Sequence, residues 1–127
     1  MRLNILVVDD SGVMRKMVLR ALTESGLDLG TVFEAANGRE GLAVIEREKL
    51  DVVLLDIHMP VMTGEELFRL LRSSPKTKTL PVVFISSESS SARIETLMEM
   101  GAGFIHKPWT AEDFRAQILA VTGAVRE

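Results

Sequence analysis

Three carboxylates, two serines and a lysine stand where short apolar runs end. Asp9 and Asp10 close LNILVVDD, Asp56 closes VVLLD, Ser86 and Ser87 follow VVFI, and Lys107 with Pro108 follows GFIH. Taken singly, each has an ordinary explanation: an Asp after a strand caps the next helix, a Ser makes a turn, a Lys is a solvated charge. Jointly they are harder to dismiss, because three unpaired carboxylates gathered at one edge repel one another and raise their own pKa values. A cation among them removes the conflict. Oxygen donors without a His or Cys cluster suit a hard ion, Mg²⁺ ahead of Ca²⁺, held by one or two carboxylates together with waters and phosphate oxygens. With such an ion in place and Lys107 across the pocket, the local charge admits a phosphoryl group, and one carboxylate is then the nucleophile.

The elements that must bring these residues together follow from the hydrophobic pattern. Strand-like runs cover 3–8, 31–35, 52–55, 82–85 and 103–106, the second weaker than the rest. Four of them lack polar alternation, as expected for strands covered on both faces by helices, and the weak one reads as an edge. Between them, helical spacing places Met14, Met17, Val18, Ala21 and Leu22 on a first helix and Leu42 and Ile45 on a second, over 36–46. Leu67, Leu70 and Leu71 mark a third, Ile94, Leu97 and Met98 a fourth over 91–100, and Phe114, Ile118 and Val121 a fifth over 111–121. Met14 and Met17 are expected to fill the core. Asn37-Gly38, Gly64, Ser73-Ser74-Pro75, Gly101 and Thr110 supply breaks and caps. Five strand-helix repeats with short connections predict one domain over 1–127, a doubly wound five-stranded parallel sheet with right-handed crossovers and the flavodoxin-like strand order 2-1-3-4-5. Ligands of such sheets bind at the carboxyl ends of the strands, near the point where strand order reverses. Asp56 extends from the middle of that sheet and is the central candidate for the nucleophile.

Composition narrows the partners. The chain has 127 residues, no Cys and a net charge of -3. It can bury a core without staples, carries no thiol chemistry, and lacks the basic footprint of a phosphate-backbone binder. Lys76 and Lys78 read as solvated loop charges. No apolar run approaches the ~18 residues of a membrane span, and the start lacks a signal-peptide core, so a cytoplasmic location is expected. No output segment follows the fifth helix, so signalling would run through protein contact, whether the domain stands alone or was cut from a longer regulator.

With LVVDD, VVLLDIHMPVMTG, VFISS and GAGFIHKPW in this order and spacing, residues 3 to 122 resemble a two-component response regulator receiver domain of the CheY-like type. The resemblance implies that Asp56 accepts a phosphoryl group from a histidine of a sensor histidine kinase or phosphotransfer protein. It implies Mg²⁺ on Asp10 and Asp56, with Asp9 helping through water and the backbone carbonyl of His58 as a further ligand. Lys107 would pair with one phosphoryl oxygen and Ser86 would donate to another. A cis Lys107-Pro108 step would aim the lysine inward, since cis peptides are mostly a proline phenomenon. The domain would catalyse its own phosphorylation and dephosphorylation without being an enzyme on other substrates.

By the same likeness, phosphorylation draws Ser86 inward and turns an aromatic on the fifth strand, here Phe104. The face of helix 4, strand 5 and helix 5 then reshapes for a downstream target or output domain. Many relatives carry Tyr at Phe104 and Thr at Ser86, so this chain, with no Tyr at all, lacks a hydroxyl lock and a stiffening methyl. His58 and Glu88 occupy positions that in such proteins flank the acyl phosphate and tune its lifetime. For the His58 imidazole a solvated role competes with a general-base one, and the loop position favours the former. His106 is expected to point away from Lys107. Trp109, Met98, Met100 and Phe104 are either core or, if exposed together, a docking patch.

Three rival readings fit less well. A haloacid-dehalogenase-type phosphatase also uses a strand-end Asp and Mg²⁺, but resembles Asp-x-Asp, and here the second position is His58, with no cap domain. A nucleotide or flavin module needs backbone donors after the first strand, where Asp9 and Asp10 would repel phosphate. A receiver-like module that acts unphosphorylated does not need the complete acidic set and Lys107.

Overall fold

The computed structural model describes residues 2–87 and 91–123. Its strands are β1 (Leu3–Val8), β2 (Leu29–Ala35), β3 (Val52–Asp56), β4 (Val82–Ser86) and β5 (Gly103–His106), and its helices α1 (Gly12–Glu24), α2 (Gly38–Arg47), α3 (Gly64–Ser73), α4 (Ser91–Glu99) and α5 (Ala111–Thr122). All neighbouring strands pair in parallel, in the order β2-β1-β3-β4-β5. This is the doubly wound arrangement that the alternation of runs and periodic segments predicts.

The apolar runs alternate after all, but between two cores rather than between core and solvent. Leu6, Val8, Val53, Leu55 and Phe84 face α2, α3 and α4, where they meet Val44, Phe68, Leu71 and Leu97. Ile5, Val7, Leu54, Val83 and Ile105 face α1 and α5, where they meet Val18, Leu22, Phe114 and Ile118. Successive side chains of a strand point to opposite faces, so a run apolar at every position can only be sandwiched. Fully burying each such side chain contributes roughly 1.5–3 kcal/mol, which is why the strand ends are held firmly.

Caps set where the helices begin. Ser11, Asn37, Thr63 and Thr110 each accept a hydrogen bond from the backbone N–H of the third residue of the following helix, and Thr63 with Glu66 and Thr110 with Asp113 form reciprocal capping boxes. Two expectations change. β2 begins at Leu29 rather than Thr31, because Leu3 pairs with Leu29 and the Asn4 side chain accepts the Thr31 N–H at 2.9 Å, carrying the strand through a glycine. Met14 and Met17 are not core residues: Met14 is half-buried and Met17 is 50% exposed, and both line an open groove whose other wall is Lys107, Pro108 and Trp109.

Candidate functional site

The rim is assembled by register. Val8 pairs with Leu55, Asp56 with Ile85 and Ser86 with His106, so β1, β3, β4 and β5 all end on one edge. β1 and β3 are neighbours although β2 lies between them in sequence, which puts the reversal of strand order between Asp9 and Asp56.

Carboxylate oxygens of Asp9, Asp10 and Asp56 lie within 4.8 Å of one another. Asp9 is buried at 4% exposure, Asp56 is half-buried and Asp10 is exposed. The Asp9 N–H donates to Ala35 O at 3.1 Å, and its carboxylate accepts the Ser11 N–H at 2.9 Å, which folds the chain back to open α1. Asp56 accepts the His58 N–H. Burial raises the pKa of Asp9, against the lowering effects of the Ser11 N–H and Lys107, and burial followed by the Asp9 charge raises that of Asp56. Both shifts express the conflict anticipated from the sequence: charge in a poorly solvated place beside like charge. Lys107 offsets part of it at both acids.

The far side of the site is built by β4 and β5. Ser86 is buried at 1% exposure, its carbonyl accepting the Lys107 N–H at 3.0 Å, and the Lys107-Pro108 peptide is cis. Asp9, Asp10, Asp56, Ser86 and Lys107 therefore share one rim. The turn after Asp56 is tightly wound: Gly64 N–H donates to Ile57 O at 2.8 Å, Met62 N–H to Pro60 O at 2.8 Å, and Val61 adopts a left-handed φ of 72°.

Other anticipated residues are distributed differently. His58 is exposed, and it contributes its backbone N–H to Asp56. His106 is exposed and lies 6.3 Å from the half-buried ring of Phe104, centroid to centroid. Trp109, Met98, Met100 and Phe104 are not exposed together. Met98 is 51% exposed, Met100 and Phe104 pack on the core beneath α3 and α4, and Trp109 stands edge-on to Phe114 at 5.2 Å on the opposite side of the sheet. Glu88 lies outside the described residues. Sequence reasoning missed Arg15, which reaches the Asp9 carbonyl at 2.6 Å. An arginine on the first helix carries no signal of that contact, because its partner lies before the helix and is a backbone atom.

The donor set fits a hard divalent cation: oxygen ligands only, two of the three partly or wholly withdrawn from water, and net negative charge. Protons and metal compete for these acids. Because the folded-state pKa values of Asp9 and Asp56 are raised, the metal-free protein gains stability from them as pH falls through those values and loses it as both ionise. A divalent ion such as Mg²⁺ would bind the ionised form. Its stabilisation should thus be fullest above the raised pKa values, about 2.7 kcal/mol at roughly a hundredfold excess over Kd, and should fall away as pH drops through them. Melting curves with and without Mg²⁺ across that range check this.

An open parallel sheet with acids gathered at its switch point, faced by a buried hydroxyl and a lysine, is the plan of a signal-receiving domain. The response regulator receiver domain model matches residues 5–119, and the chain belongs to that family: it is a receiver domain of two-component signalling. It is 32% identical over 123 residues to a chemotaxis protein CheY homolog of Campylobacter jejuni, covering 95% of this chain and 93% of the relative. It is 41% identical over 109 residues to a Bacillus subtilis protein-glutamate methylesterase/protein-glutamine glutaminase, covering 84% of this chain but only 29% of that protein. The crystal structure of Vibrio cholerae chemotaxis protein CheY4 superposes with a TM-score of 0.82 at 33% identity, covering 95% of this chain and 99% of that one. Among the described residues, no helix is long and apolar enough to cross a membrane.

Proposed function

We propose that Asp56 is the phosphoacceptor of this receiver domain, and that residues 1–127 form one functional unit in the cytoplasm. The observation that carries the reading is the convergence of Asp9, Asp10 and Asp56 oxygens within 4.8 Å on the rim that also holds Ser86 and Lys107. An Asp56 oxygen attacks phosphorus in line; the P–N bond to the donor histidine breaks as the P–O bond forms, and the departing imidazole takes a proton from solvent. Asp9, Asp10, Asp56 and the His58 carbonyl would hold Mg²⁺, which would neutralise charge on the transferring group. Lys107 takes one phosphoryl oxygen and the Ser86 hydroxyl another. Such transfer needs positioning and electrostatic stabilisation more than covalent chemistry, which is why so few groups suffice. The domain in this reading also supports loss of its own phosphoryl group.

The new acyl phosphate adds about -1.5 to -2 of charge. It draws Ser86 toward it, and Phe104, adjoining the α3–α4 core, turns into the altered space, changing the α4, β5 and α5 face offered to a downstream protein. A phosphoryl mimic should shift the Phe104 rotamer populations seen by side-chain NMR; unchanged populations would remove Phe104 from the switch.

The experiment for the proposal is incubation with Mg²⁺ and a small phosphodonor, read by intact mass. One phosphoryl mass, lost with Asp56→Asn and on chelation, is expected. No added mass would return the domain to the unphosphorylated interaction reading. Turnover of free phosphate esters that depends on Asp56 would favour the phosphatase reading instead.

A further inference from the structure

We propose that Arg15 is a positioning residue of the metal site, clamping the acidic turn between α1 and the edge strand β2. The proposal rests on the reading of Asp9, Asp10 and Asp56 as Mg²⁺ ligands. The Arg15 side chain is only 19% exposed, and it uses diverging donors: one Nη donates to the Asp9 carbonyl at 2.6 Å and Nε to a Glu34 carboxylate oxygen at 2.9 Å. The Asp9 carbonyl belongs to the peptide plane that joins Asp9 to Asp10. Fixing that plane constrains the directions in which the two carboxylates leave the chain toward their shared site.

β2 grips the same turn twice. Ala35 accepts the Asp9 N–H through its backbone carbonyl, while its neighbour Glu34 holds Arg15 against the Asp9 carbonyl. Both ends of Asp9 are thus tied to consecutive residues of one strand. On charge alone a guanidinium beside a cation site opposes metal binding, so its presence there calls for geometry as the reason and for Glu34 as the neutralising partner. Lysine, a point charge without a planar fork, cannot serve a carbonyl and a carboxylate in divergent directions as a guanidinium does. Partners that orient ligands in this way typically contribute 10–100-fold to metal affinity.

The test is calorimetric titration of Mg²⁺ into the full chain, without any phosphodonor. Wild type should bind; if it does not, the metal reading itself falls and this proposal with it. Given wild-type binding, Arg15→Lys keeps the charge and should weaken affinity by about tenfold, with the metal-free melting temperature tracked separately as the control for folding. If Arg15 acted by charge alone, Arg15→Lys would bind as wild type and Arg15→Gln would bind more tightly, which would overturn the proposal while leaving the metal site intact. Glu34→Gln, on the exposed edge, releases the clamp from its other end. Combined with Arg15→Lys it should add little further loss, because the two act as one unit; losses that multiply independently would also overturn it.

Discussion

Asp56→Asn will take up no phosphoryl group, yet will melt at a higher temperature than wild type in the absence of Mg²⁺. The first effect is chemical: the amide oxygen is a poor nucleophile and carries no charge to match a divalent ion. The second follows from what the ionised residue suffers in the fold. Burial and the Asp9 charge both disfavour the Asp56 carboxylate, and Lys107 and the His58 N–H only partly offset them. Near neutral pH the folded protein therefore holds a charge that the unfolded chain solvates better, and a neutral side chain of the same shape removes that cost. Mg²⁺ reverses the ranking. With the metal site as proposed, wild type would gain stability from the ion through all three carboxylates, whereas Asp56→Asn has lost one, so its melting temperature should rise less on Mg²⁺ addition. Intact mass and paired melting curves check both halves. A variant that melts lower than wild type without Mg²⁺ would show that Asp56 is stabilising rather than strained by its neighbours.

Gly64→Ala will lose about 3 kcal/mol of stability and phosphorylate far more slowly. Gly64 opens α3 where the helix returns beneath the end of β3. Its N–H donates to Ile57 O at 2.8 Å, and an added methyl would fall onto the Asp56 carbonyl oxygen, with the Asp56 carbonyl carbon at 2.9 Å and Ile57 Cα at 3.0 Å. All three are backbone atoms. No flexible side chain can swing aside, so either α3 retreats from the sheet, opening space around buried Leu67 and Phe68, or the end of β3 moves. Moving β3 displaces the Asp56 carboxylate itself, and an error near 1 Å in such a group costs on the order of a hundredfold in rate. A urea midpoint and a single-turnover phosphorylation rate separate the two losses. A variant with wild-type stability and rate would mean that the turn relaxes more freely than its buried contacts allow.

Much of this architecture was legible before any coordinates. Apolar runs such as VVLL have no polar position that water can reach, so they demand a sheet with both faces covered, and the intervening periodic segments are long enough only for single crossover helices. From that topology the rim location of Asp9, Asp10, Asp56, Ser86 and Lys107 follows, because each is the last residue of a strand or stands one or two residues past it, and parallel strands end on one side. The receiver family itself was legible for the same reason: its signature consists of strand ends at characteristic separations.

Other features depended on contacts between residues far apart in sequence. Periodicity put Met14 and Met17 in the core along with Val18 and Leu22, since it reports which residues share a helix face but not how far the helix overhangs its sheet. In the fold Met14 is half-buried and Met17 is exposed, both lining an open groove with Lys107, Pro108 and Trp109. Propensity began β2 too late, because Leu29 and Gly30 gain their conformation from β1 and Asn4 rather than from their own preferences. The possible docking group split for a similar reason: Trp109 and Phe104 are five residues apart yet belong to cores on opposite sides of the sheet. The chain by itself determined the sheet, its order and which residues gather at the rim, since those follow from local patterns repeated along it. The tertiary structure decided the burial of Asp9, the close approach at Gly64 and the Arg15–Glu34 grip on the acidic turn. Each of these arises between segments whose distance in space no local pattern encodes.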